Sequence, residues 1–93
     1  MRGEHVSLVL YITGDSPRSQ SAIANLRSMC EGALKERCDF SVVDVLDSPG
    51  DAERDRILAT PTLVKQAPGK VRRVIGDLSD AASVLAALDI VPD

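Results

Sequence analysis

The chain has 93 residues, of which 44% are hydrophobic and 27% are charged, and its formal net charge is −3. This length and composition predict one small globular domain. The negative net charge argues against binding to nucleic acid or to an anionic membrane surface. Tyr11 and Phe40 are the only aromatic residues, so the core must be aliphatic and few rings are available to stack on bases.

We expect a cytoplasmic protein, because no signal peptide precedes the first predicted strand and no apolar run approaches the roughly 20 residues that span a bilayer. In that compartment Cys30 and Cys38 are predicted to be reduced thiols. Cys30 falls on the apolar stripe of a predicted helix and Cys38 follows the end of that helix. Both are therefore predicted to be structural and unreactive, with a redox-sensing thiol as the alternative.

The first half of the chain predicts a strand, a helix and a second strand. Residues 6–13, VSLVLYIT, form an apolar run typical of a strand buried on both faces. Ser16 then supplies a helix cap and Pro17 a first helical residue. Residues 40–46, FSVVDVL, predict the second strand, parallel to the first. The helix between them should face inward through Ala22, Ile23, Leu26, Met29, Cys30, Ala33 and Leu34.

The second half of the chain predicts a short helix followed by a β-hairpin. Ser48 and Pro49 repeat the capping signal, and the charged helix that they start ends near Leu58. Residues 62–66 and 71–75 then predict two short strands joined by the turn Ala67-Pro68-Gly69-Lys70.

Ser79 is predicted to cap a last helix. Its inward-facing residues should be Ala81, Ala82, Val84, Leu85 and Leu88. The predicted order of elements is then βαβαββα, which is the thioredoxin-like α/β arrangement.

Residues at the start of the first helix argue against redox catalysis. A thioredoxin-type enzyme carries Cys-x-x-Cys here, because the helix N-terminus favours a reactive thiolate. This chain has Asp15-Ser16-Pro17-Arg18 instead, and a serine hydroxyl cannot exchange disulfides. A redox protein that uses Cys30 or Cys38 remains an alternative that the missing motif opposes.

No other set of residues predicts catalysis, a metal or a cofactor. Acidic residues between Asp44 and Asp55 suit helix capping and solvation better than a calcium loop. His5, the only histidine, has no evident partner for acid–base chemistry. We therefore expect a protein that is not an enzyme and that uses no cofactor or metal.

Basic residues cluster in the predicted hairpin. Arg72 and Arg73, with Lys65 and Lys70, form a small patch, and strand alternation sends the two arginines to opposite faces. A solvated surface is the alternative interpretation of this patch. The absence of a Gly-rich cradle argues against a phosphate site.

Several strings of this chain together resemble the circadian clock protein KaiB family. They are LYITG at residues 10–14, Ser16-Pro17, VDVL at 43–46, ILATPTL at 57–63 and VRRVIGDLS at 71–79. The resemblance runs from about residue 7 to residue 91, so a single KaiB-like domain covers residues 1–93. In the thioredoxin fold the proline that corresponds to Pro61 is cis, and the flanking threonines favour cis over an ordinary trans bond here.

The resemblance implies a protein with two folds. A resting homo-oligomer, a tetramer or a dimer, has the order βαββααβ, and a rarer monomer has the thioredoxin-like fold. Residues from about 49 to 93 are the half that changes. Two packings of one sequence coexist when they differ by only a few kcal/mol.

The resemblance also implies partners. The thioredoxin-like form binds a KaiC-type ATPase ring, and in hosts that have them KaiA is then captured and a sensor histidine kinase is displaced. Residue by residue, Pro61, Gly76 and Asp77 match the positions that influence the fold equilibrium. Gly76→Ala and Asp77→Arg are predicted to favour the thioredoxin-like monomer and to speed KaiC binding.

Arg56, Lys65 and Arg73 match basic positions of the partner-binding half. A thioredoxin-like adaptor or stress-response module with another protein partner is the alternative function.

Overall fold

The computed structural model describes residues 5–32, 34 and 37–90, and it has the predicted order βαβαββα. The elements are β1 (Val6–Ile12), α1 (Pro17–Glu31), β2 (Cys38–Asp44), α2 (Pro49–Arg54), β3 (Thr62–Ala67), β4 (Arg72–Ile75) and α3 (Ala81–Ala87). None of the helices in these residues has the length and apolar character that a membrane crossing requires.

The four strands form one sheet in the order β2-β1-β3-β4. β1 runs parallel to β2, as predicted, and antiparallel to β3, while β3 and β4 form the predicted antiparallel hairpin. Both faces of β1 are covered. Leu8, Leu10 and Ile12 join a core that includes residues of α1 and α3, whereas Val9 and Tyr11 join a smaller cluster on the other face.

The capping signals in the sequence predicted the start of α1 correctly and the start of α3 one residue early. Ser16 caps α1 as predicted, because its Oγ accepts the Ser19 N–H at 3.2 Å. The prediction for α3 was wrong by one residue. Asp80 is the cap, accepting the Ser83 N–H at 3.2 Å, whereas the Ser79 N–H donates to Asp77 Oδ1 at 3.1 Å.

The inward faces of these two helices were predicted in part. In α1 the buried apolar residues include Ala22, Leu26 and Met29, with Leu34 just beyond the helix, and Ala33 lies outside the described residues. Around α3, Val84, Leu85 and Leu88 are buried. Ala81 and Ala82, which were expected to face inward, are exposed; both lie in the first turn of α3.

Cys30 and Cys38 form a disulfide, so the prediction of reduced thiols was wrong. Cys30 lies near the end of α1 and Cys38 begins β2, and the chain returns so that their Cα atoms are 6.0 Å apart. This separation falls in the range that a disulfide spans. The sequence offered no sign of the pairing, since it depends on how the α1–β2 connection folds back.

We expect loss of the disulfide to lower the free energy of unfolding by about 2–3 kcal/mol, because the bond closes a short loop in the unfolded chain. Urea unfolding of the protein with and without reductant measures this change. A Cys30→Ala, Cys38→Ala variant is the control and should not respond to reductant. Identical midpoints for the oxidised and reduced protein would contradict the prediction.

Candidate functional site

The structure brings the predicted fold-switch residues together in one place. Pro61 immediately precedes β3 and Gly76 immediately follows β4, and the Pro61 carbonyl accepts the Gly76 N–H at 2.9 Å. The Thr60–Pro61 peptide bond is cis, as the comparison with the thioredoxin fold and the flanking threonines predicted. Asp77 follows directly along the chain. We call Thr60, Pro61, Gly76 and Asp77 the junction.

Two side chains from the first half of the chain hold the junction. Asn25 of α1 donates from Nδ2 to the Asp77 carbonyl at 2.7 Å. The hydroxyl of Thr13, just after β1, hydrogen-bonds to the hydroxyl of Thr60. Asn25 was not predicted from the sequence to have a role. A short amide side chain beside the apolar stripe of α1 is the available signal, since it can reach a backbone group of a packed loop.

Gly76 is required here by its backbone conformation. Its φ is 132°, a region that residues with a Cβ rarely adopt, although a Cβ built at this position meets nothing within 4 Å. The constraint is therefore torsional rather than steric. Substitution by alanine strains this form of the protein, whatever space is available.

Arg56 and Arg73 meet at the end of α2. The Arg73 guanidinium donates from Nη2 to the Asp55 carbonyl at 2.9 Å and from Nη1 to the Arg56 carbonyl at 3.2 Å. A cation that binds the last carbonyls of a helix stabilises its C-terminal end. Both arginine side chains remain exposed, so this corner of the sheet presents two positive charges.

Tyr11 ties the same corner to the central strand. Its hydroxyl donates to the Asp55 carboxylate. Burial, and then the hydrogen bond to Asp55 and the charge of Asp55, raise the pKa of Tyr11 to about 12. We call Tyr11, Asp55 and Arg73 the α2 latch, because they connect β1 and β4 to the end of α2. Neither the latch nor the role of Tyr11 was predicted from the sequence.

Lys65 does not join Arg56 and Arg73. In the hairpin Lys65 is opposite Arg72, and Val64 is opposite Arg73. Arg72 and Arg73 therefore point to opposite faces of the sheet, as predicted. Lys65 exposes only 3% of its surface. The structure thus places two of the three basic residues at one corner and the third on the other side of the sheet.

An open cleft runs beside the junction. It has a volume of about 260 Å³ and is lined by Thr13, Val45, Pro49, Ala52, Ile57, Leu58, Ala59 and Thr60. Leu58 is 96% exposed at its edge. Ser16 stands at the start of α1, where a redox enzyme would carry its cysteine, and the disulfide lies at the far end of that helix.

Residues 5–32, 34 and 37–90 contain no group of three or more His, Cys, Asp or Glu residues that could hold a metal ion. His5, for which the sequence suggested no partner, contacts the Asp39 carboxylate at 2.8 Å, and both side chains are largely exposed.

Residues 9–90 match the family model of the KaiB domain. The chain belongs to the KaiB family. The circadian clock protein KaiB3 of Synechocystis sp. is 48% identical over 88 residues, which cover 95% of this chain and 86% of that protein. The circadian clock oscillator protein KaiB of Prochlorococcus marinus is 50% identical over 86 residues, covering 92% and 80%. The family resemblance seen in the sequence is confirmed.

Solved structures confirm the thioredoxin-like fold. The N-terminal domain of Synechococcus elongatus SasA superposes with a TM-score of 0.70 at 26% identity, covering 89% of this chain and 80% of that one. Yeast mitochondrial thioredoxin 3 superposes with a TM-score of 0.74 at 18% identity, covering 94% and 80%. The likeness to thioredoxin, at 18% identity, shows the fold alone.

We expect Tyr11, the only tyrosine, to titrate near pH 12 in the folded protein and near 10 in the unfolded chain. The folded state then holds its proton more tightly, so the contribution of Tyr11 to stability is complete below about pH 10. It is lost as the pH rises from about 10 to about 12.

Tyrosinate absorbance against pH measures both values directly, with and without urea. Asp55→Asn is the matched control and should lower the folded midpoint, because it removes the neighbouring negative charge. A folded midpoint equal to the unfolded one would contradict the prediction.

We expect Gly76→Ala to destabilise this form by about 1–3 kcal/mol, because alanine is strained at φ 132°. This reverses the sign expected from the family resemblance for that substitution. Gly50→Ala is the control, since Gly50 lies in α2 with open space around it and no positive φ. It should leave stability unchanged or raise it by up to about 1 kcal/mol. Urea unfolding of both variants measures the two changes in stability. Equal unfolding midpoints for Gly76→Ala and Gly50→Ala would contradict the prediction.

Proposed function

We propose that this protein is a non-enzymatic clock or timer regulator that binds a KaiC-type ATPase ring in its thioredoxin-like form. The proposal includes a change of fold from a resting tetramer or dimer before binding. Its main support is the match of residues 9–90 to the KaiB domain, combined with a thioredoxin-like arrangement of the same residues. The resemblance adds KaiA and a sensor histidine kinase as partners where the host has them, and the proposal keeps the cytoplasmic location expected from the sequence.

The weak anchoring of the region around α2 supports a change of fold. α2 has only six residues, none of them buried. The α2 latch is polar, and Ile57 is the partly buried apolar residue that follows the helix. Segments with few buried apolar contacts open at low free-energy cost. The segment that contains α2 can therefore leave this arrangement at low cost, whereas a change of fold from about residue 49 onward must also release β3 and α3 from the core.

Exposed apolar residues in the same half support a partner or a second packing. Leu58 is 96% exposed, Ile75 63% and Val71 61%. Burying such side chains is favourable by about 1.5–3 kcal/mol each. In the thioredoxin-like form these side chains are free to be buried against a partner. In the resting oligomer they could instead be buried against another subunit or within the second fold.

The corner formed by Arg56 and Arg73 is the partner surface that we propose. Arg56 is exposed and its side chain supports no neighbouring element, whereas Arg73 also holds the end of α2. Substitution of Arg56 therefore tests contact with a partner alone, whereas substitution of Arg73 also tests support of the fold. Lys65 is too deeply buried to make the same contact, so it requires a partner group that reaches into the opposite face.

Size-exclusion chromatography of the protein mixed with the KaiC-type ATPase of its host, plus nucleotide, tests the proposal. We expect a large complex to form over hours, because the binding-competent form must first be populated. Absence of a complex under all nucleotide and phosphorylation conditions would favour the adaptor alternative. Binding complete within the mixing time would contradict the change of fold but leave the partner standing.

We expect Arg56→Gln to weaken ATPase binding several-fold without changing the urea midpoint, and Arg73→Gln to change both. A rim charge at an interface acts mainly on association, whereas loss of Arg73 also frees two carbonyls at the end of α2. Arg18→Gln on α1 is the matched control, because it removes one exposed positive charge elsewhere. Equal binding by all three variants would contradict the proposed surface.

A further inference from the structure

An open cavity of about 440 Å³ lies between the β3–β4 turn and the residues that follow α3. Its lining consists of Lys65, Pro68, Gly69, Lys70, Arg72 and Asp89. It is on the opposite face of the sheet from Arg73. None of the lining residues belongs to the junction, and the corner formed by Arg56 and Arg73 lies across the sheet, so the cavity is separate from both.

The deepest charged group in this cavity is Lys65. The residue exposes 3% of its surface, but its Nζ is not among the buried, unpartnered polar atoms of the described residues, so the stem is buried while the ammonium opens into the cavity. The cavity is the remaining route by which an anion can reach this charge.

A second observation concerns the neighbour of Lys65 in the sheet. Arg72 is directly opposite Lys65 and on the same face, which places their Cβ atoms about 4.5–5.5 Å apart. Like charges at such positions repel each other. An anion between the two side chains would convert this repulsion into attraction.

The net charge of the cavity indicates the ligand class. Lys65, Lys70 and Arg72 are positive and Asp89 is negative, so two positive charges are left without compensation. A phosphate group carries about −1.5 to −2 at neutral pH. An arginine guanidinium binds two of its oxygens at once.

We propose that this cavity binds a phosphate group, as the free ion or as the monoester of a small molecule. Lys65 provides the deep contact, and Lys70 and Arg72 close over the anion from the rim. The sequence argued against a phosphate site because it lacks a Gly-rich backbone cradle. The fold builds the site from side-chain cations instead. The proposal does not depend on KaiC binding.

NMR titration of the full chain with inorganic phosphate, with adenosine monophosphate and with sodium chloride at equal ionic strength tests the proposal. We expect saturable shifts of the Lys65, Gly69 and Arg72 amides with a phosphate compound and not with chloride. Tighter binding of inorganic phosphate would identify the free ion as the ligand, and tighter binding of the monophosphate would identify a monoester. Equal, unsaturated shifts with phosphate and chloride would overturn the proposal.

Three variants test the residue roles. Lys65→Met keeps most of the side-chain volume and should weaken phosphate binding at least about tenfold, while the unliganded protein becomes no less stable. Asp89→Asn should tighten binding, because it removes the opposing charge. Arg18→Gln, far from the cavity, should change the affinity by less than about twofold. Unchanged affinity in Lys65→Met would overturn the proposal.

If Lys65→Met fails to fold, Lys70→Met and Arg72→Gln provide the same test on exposed side chains. Each should weaken phosphate binding several-fold, and together they should abolish it. Wild-type affinity in the double variant would overturn the proposal.

Discussion

The pairing of β1 with strands on both sides is the constraint on which the rest of this molecule depends. β1 bonds to β2 in parallel and to β3 in antiparallel register, and its side chains enter the cores on both faces. Tyr11, in β1, and Thr13, just after it, also hydrogen-bond to residues in the second half of the chain. One reaches the end of α2 through Asp55 and the other reaches Thr60 of the junction.

The hairpin β3–β4 divides the basic residues into two electrostatic environments. Because neighbouring residues of a strand point to opposite faces, Arg73 binds the carbonyls at the end of α2 while Arg72 faces the cavity with Lys65. The first environment suits a protein partner and the second a small anion. A stretch that reads as one patch therefore carries two chemically distinct surfaces.

The regular elements could be predicted from the sequence, and the contacts between distant residues could not. The β1–α1–β2 unit was predicted because apolar runs and the Ser16-Pro17 cap act locally. Asn25 reaching Asp77, Tyr11 reaching Asp55 and Cys30 bonding Cys38 were missed, because each joins elements whose approach depends on packing. The last cap was predicted one residue early, since Ser79 and Asp80 carry similar capping side chains and only the loop geometry separates them.

By itself, the sequence determined the family and the order of the elements, and it singled out Pro61, Gly76 and Asp77 as candidate fold-switch residues. Local propensity and specific strings are enough for these. The tertiary structure decided which of the predicted residues meet: Pro61 with Gly76, Arg56 with Arg73, and Lys65 with neither. The alternation of side chains along the strands could be predicted, but the burial of Lys65 could not. Its burial depends on how the residues after α3 pack over the sheet.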